Sequence, residues 1–157
     1  MKCGCCGKEA GDFTFDKTYQ MPDVIWNLDE AVRAERAAIH GDFCRLNDDY
    51  VLRGMVYLPL IGADRCFGWG LWAEVGKEEF FNYFDNCEND NSSSSPFVGR
   101  MANSIPFYSE TNGIALNIKL GDETLRPIFY GTEQGHLLFK EQNSDVNLER
   151  VHDFNGR

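Results

Sequence analysis

Basic residues are scarce in this chain: 15 lysines and arginines stand against 25 aspartates and glutamates in 157 residues, a net charge of −10. A surface of that sign repels a phosphate backbone, which sets nucleic-acid binding aside and favours a basic partner, drawn in fastest at low salt. Long apolar runs are also missing. No stretch approaches the roughly 20 residues that cross a bilayer, so no membrane partner is expected. The opening MKCGCCGKE lacks the apolar stretch of a secretory leader. The expected compartment is therefore the cytoplasm, where thiols stay reduced, and the six cysteines are not spaced as a secreted disulfide framework. Histidine is rare, with three in the chain, and the GxSxG, HExxH and phosphate-cradling glycine motifs do not occur. A familiar hydrolase or nucleotide site is thus not expected.

What is present suits one ordinary domain over residues 1–157, long enough to build a core without staples. Asn27 with Glu30 reads as a helix start, and the helix formers of AVRAERAAIH carry it to Gly41. Asn47-Asp48-Asp49 is turn chemistry between two strand-like runs, the second reaching Pro59. FGWGLWAEV alternates. Phe67, Trp69, Leu71, Ala73 and Val75 share one face, while Gly68, Gly70, Trp72 and Glu74 share the other, where the glycines leave a slot for a neighbouring chain. KEEFFNYFDNC has helical spacing, and residues 88–96, rich in serine and asparagine, are expected to be a flexible loop. GIALNIKL and TLRPIFY read as a hairpin, and the tail as two short helices. The predicted class is α+β: a mostly antiparallel sheet with flanking helices, behind an N-terminal knuckle over residues 1–10.

Cysteine is concentrated at the front, at Cys3, Cys5 and Cys6, with Gly4 and Gly7 between and after them. Two thiolates two residues apart can grip one tetrahedral ion, and glycines let the backbone turn around it. Cys3 and Cys6 are thus half of a structural zinc site. Cys44 and His40, in HGDFC, are the expected other half, with Cys66, Cys87, His136 and His152 as alternatives. Cys5 either points away or replaces one of its neighbours. Two other readings stand beside zinc: inert reduced thiols, or a redox pair, although a redox CxxC belongs between a strand and a helix.

An enzymatic alternative draws on His136, Glu141 and Arg126 as acid, base and anion-binding groups. For protein recognition, the acidic Asp48, Asp49, Asp85, Glu88 and Asp90 could meet lysine or arginine on a partner, with Trp72 as an aromatic hot spot.

Taken in order, the opening CxxCG (Cys3, Cys6, Gly7), DFCRLNDDYVLRGMVYLPL, FGWGLWAEV, FVGRMANSIPFY, LRPIFY and HLLFKEQNSDVNLERVHD resemble the bacterial family catalogued as domain of unknown function 2199. The resemblance implies a small bacterial protein with a metal-type knuckle and implies no established activity. The leading expectation is a non-enzymatic binding protein, an immunity protein that masks a basic toxin. The alternatives are an enzyme of unknown reaction and a structural or regulatory zinc domain.

Overall fold

A computed structural model of the chain describes residues 1–133 and 135–156. Its elements are β1 (Asp16–Thr18), α1 (Asp23–Trp26), α2 (Glu30–Arg36), β2 (Ala37–His40), β3 (Phe43–Leu46), β4 (Asp49–Pro59), β5 (Cys66–Val75), α3 (Lys77–Asn86), β6 (Phe97–Met101), β7 (Ala115–Lys119), β8 (Ile128–Gly131), α4 (Leu137–Asn143) and α5 (Leu148–Phe154). No described helix is long and apolar enough to cross a membrane.

The spine is the antiparallel ribbon of β4 and β5, paired from Tyr50 opposite Val75 to Pro59 opposite Cys66. From β5 the sheet continues through β6, β7 and β8, and β8 returns to β4, closing a five-stranded barrel. The α+β class holds, but the expected sheet is corrected: it is closed, and it is mixed. β8 joins β4 in parallel through Met55 opposite Ile128, and β1 lies parallel to β5 outside the ring. Gly54 makes the closure possible. A Cβ there would collide with the Phe129 ring and the Pro127 carbonyl, the same carbonyl that accepts from the Met55 amide at 2.8 Å. β3 and β2 extend antiparallel from β4, leaving β2 at the end of the sheet.

The alternation of β5 sorts two cores. Phe67, Trp69, Leu71, Ala73 and Val75 join the main core beneath α3, α4 and α5. On the other face, the glycines admit β1: Thr18 sits where a Gly70 side chain would be. Trp72 enters a second core with Ile25, Cys44, Leu46 and Val51. Asn103, fully buried, ties this core to α1. Its Oδ1 accepts from the Trp72 amide at 2.8 Å, and its Nδ2 donates to Met21 O and Asp23 Oδ1, both at 3.1 Å.

The helix expected to run from Asn27 to Gly41 is shorter. Asp29 caps it, its side chain accepting from the Val32 amide, and it ends at Arg36. Ala37–His40 becomes β2, because pairing with β3 overrides the helix preference of its alanines. α2 buries none of its side chains fully; Ala31 and Ala34 are exposed and Val32 is half-buried. Within residues 88–96, Lys119 Nζ donates to the Ser92 and Ser94 carbonyls at 2.7 and 2.6 Å, and the Asn91 amide donates to Gly121 O at 3.0 Å.

Candidate metal centre

The glycine-punctuated opening folds into a tight knuckle. Lys2 and Glu9 bridge antiparallel, the Cys3 amide donates to Lys8 O at 2.8 Å, and the Gly7 amide donates to Cys3 O at 2.9 Å. Gly7 takes a φ of +74°, open to glycine at little cost. The turn buries Cys3 and leaves Cys5 and Cys6 exposed.

α5 supplies the facing wall. Asn147 caps it by accepting from the Arg150 amide at 2.9 Å, and Leu148, Val151 and Phe154 anchor it in the main core. That stripe leaves Glu149 and His152, three residues apart, on one flank. Glu149 Oε1 accepts from the Gly4 amide. His152 Nδ1 lies 3.0 Å from Cys5 Sγ and 3.5 Å from Cys3 Sγ, and the two sulfurs are 3.1 Å apart. Phe13 packs on the imidazole with ring centroids 5.3 Å apart. One turn on, Asn155 Oδ1 accepts from the Thr14 amide and hydroxyl at 2.9 and 3.0 Å.

The ligand atoms of Cys3, Cys5, Cys6 and His152 all lie within 4.8 Å of one another, close enough to hold one metal ion. Tetrahedral zinc, with sulfur at about 2.3 Å and nitrogen at about 2.0 Å, sets a sulfur-to-nitrogen edge of about 3.5 Å. The Cys3–His152 separation of 3.5 Å matches that edge, while the Cys5 sulfur, 3.0 Å from His152 Nδ1 and 3.1 Å from Cys3 Sγ, lies inside it. Burial pushes the Cys3 thiol up, but hydrogen bonding from the Cys5 side chain and backbone, from His152 and from the Cys6 backbone outweighs it and brings the thiol down to about 6. The form favoured there is the thiolate, the form that ligates metals.

Of the expected ligands, Cys3 and Cys6 stand in this cluster and Cys44 and His40 do not. HGDFC is no helix end: it spans the β2–β3 hairpin turn, in which His40 pairs with Phe43 and Ile39 with Cys44. Successive pairs alternate faces, so the two side chains point to opposite sides of the sheet and cannot share an ion. Cys44 is buried in the second core, where burial pushes its thiol up to about 12. Cys5 and His152 complete the set instead. Cys3 and His152 are 149 residues apart, so no local spacing announces the pair.

Trp72 is corrected as a surface hot spot. It is fully buried, its indole donates to Tyr19 O at 2.8 Å, and Arg53 covers its ring at 4.6 Å. Asp48, Asp49, Asp85, Glu88 and Asp90 are all exposed. The trio of the enzymatic alternative is not gathered in one site: His136 and Glu141 both border Tyr108, while Arg126 stands apart with Asp42. His136 caps α4, accepting from the Leu138 amide at 3.2 Å, with Nε2 at 3.0 Å from Ser109 O. Glu141 pairs with Arg150, and Arg126 with Asp42, each at 2.9 Å. A cleft of about 770 Å³ is lined by Arg126 and Asp42 but by neither His136 nor Glu141.

No curated protein and no solved structure matches this chain. A family model does, over residues 2–146, a span that takes in the three knuckle cysteines and ends before α5 and His152. By that match the chain belongs to the family described as uncharacterized protein conserved in bacteria (DUF2199).

Proposed function

We propose that the protein is a non-catalytic binding domain, clamped at its front end by a structural zinc ion, whose acidic surface recognises a basic protein. The observation that carries this is the donor set itself. Around one ion, three cysteine sulfurs and one imidazole would fill a tetrahedral shell and leave no open position for water or substrate. Soft sulfur donors favour zinc over magnesium or calcium. The ion would hold the knuckle to α5 and take no part in chemistry. The net charge of −10 and the exposed Asp48, Asp49, Asp85, Glu88 and Asp90 supply the attraction for a basic partner. A toxin masked at its active site is the partner class we favour.

The test has two arms. Protein purified without chelator is expected to carry about one zinc per chain by elemental analysis; less than a tenth of that would overturn the structural ion. Mixed with basic proteins encoded beside it, toxins first, it should form a complex that weakens steeply with salt. Absence of any salt-sensitive complex removes the partner.

A further inference from the structure

We propose that the free edge of β2, with the groove between it and α3, takes up an extended basic segment of a partner protein as an added strand. This rests on the reading above of an acidic binder of basic proteins, and gives that reading a place on the molecule.

β2 is the last strand of the sheet, bonded on one side only, to β3. The two strands are joined by the two-residue turn Gly41-Asp42, so His40 and Phe43 form the closing hydrogen-bonded pair, and Ala38 and Arg45 the next. Ala37 and Ile39 are then the wide pairs, and their backbone groups face away from β3. The Ala37 amide is taken up by Arg33 O at the end of α2. The Ile39 amide and carbonyl and the Ala37 carbonyl meet no other backbone group among the described residues. An unpaired edge of this kind is a template for another strand. At about 3.3 Å per residue, β2 offers roughly 13 Å of it.

The edge opens onto an apolar groove of about 240 Å³ whose floor and far wall include Phe43, Phe80, Phe81 and Phe84. Phe81 and Phe84 are 37% and 39% exposed, and Ile39, on the opposite face of β2, is 45% exposed. An added strand would send alternate side chains into the groove and the others toward solvent. That calls for apolar residues at every second position.

Charge favours a segment that is basic overall. Glu78 and Asp85 lie three residues before and four after Phe81 on the same helical face of α3, and Glu88 follows beyond its end. All are exposed. Of the cations nearby, Arg45 is occupied: its Nε donates to Asn47 O at 2.7 Å and its guanidinium lies over Tyr50 at 5.3 Å. Lys77 stands at the first turn of α3. A second copy of this chain would bring another −10 surface, with its own Glu78, Asp85 and Glu88, against the first. A lysine- or arginine-bearing segment meets the opposite sign instead.

The probe is a fluorescein-labelled hexapeptide alternating lysine and valine, followed by polarisation. We expect binding that weakens at least tenfold between low and physiological salt, and none for the glutamate–valine peptide. Ile39→Pro removes an outward N–H while sparing the ladder to β3, and should weaken binding at least tenfold. The same peptide N-methylated at alternate residues should fail likewise, whether or not that variant folds. Amide exchange at Ile39 should slow when the peptide binds. Equal binding of the N-methylated peptide, or an unchanged Ile39 amide, overturns the β2 site and leaves the acidic-surface reading intact. No binding of the peptide while a whole basic partner still binds does the same. A β2-mediated dimer in sedimentation also overturns it, since the occupant is then a second copy.

Discussion

Removing the ion from the Cys3–Cys5–Cys6–His152 cluster should lower stability without unfolding the barrel. The clamp joins Cys5 to His152 across 147 residues of chain. Treated as a cross-link, closure of a loop that long constrains the unfolded chain by about 5 kcal/mol. Not all of this is lost in the metal-free protein. Phe13 remains packed on His152, Asn155 still accepts from Thr14, and Glu149 still holds the Gly4 amide. We therefore expect a loss of roughly 3–4 kcal/mol, a fall in Tm of about 6–16 °C for a domain of this size. Cys6→Ser is the cleanest variant, since Cys6 is exposed and its loss removes a donor without opening a cavity. Differential scanning fluorimetry of zinc-loaded, chelator-treated and Cys6→Ser protein reads the effect, with Cys66→Ser as a control outside the cluster. Hydrogen exchange should quicken in residues 2–14 and in α5, and stay slow in β4 and β5. Identical melting of the loaded and stripped protein, with metal loss verified, would refute the clamp.

Glu149→Ala keeps every donor but frees the Gly4 amide, so zinc affinity should fall about 10–100-fold in competition with a chromophoric chelator while stoichiometry stays the same. Gly70→Val places a side chain in the space of Thr18 and should displace β1 from β5, costing about 1–3 kcal/mol by chemical denaturation. Burial raises the Cys44 thiol from 9.0 to about 12. Because the folded value is the higher, the stabilisation is complete below about pH 9 and is lost as pH rises toward 12; Cys44→Val should flatten that alkaline limb of the stability curve. At about pH 8, iodoacetamide should label the exposed Cys66 and spare Cys44 until the protein is unfolded.

The parts legible in the sequence are those whose cause is local. β5 shows its period of two because one face is apolar throughout, and the slot at Gly70 follows from the same pattern. α3 declares itself by the helical spacing of Phe80, Phe81, Phe84 and Cys87, although the residues it buries are Phe80 and Tyr83 while Phe81 and Phe84 stay exposed. The knuckle is visible because Cys3, Cys6 and Gly7 sit within one turn of chain. What is hidden depends on distant partners. AAIH has helical composition and becomes a strand only because FCRL lies across a turn from it. The barrel closes through one parallel pairing, Met55 with Ile128, that no pattern in either segment foretells. His152 stands in α5 among core-facing residues and acquires its role from a cysteine at the other end of the chain.

A metal clamp at this cluster would also set an order on biosynthesis. Cys5 is made 147 residues before His152, which at about 5–20 residues per second is a wait of roughly 7–30 s. Through that interval the knuckle has sulfur but no imidazole, and any ion it picks up is held by fewer donors. Final closure thus marks a finished α5, and a nascent chain stalled short of it would keep its leading thiols open to oxidants and to competing metals.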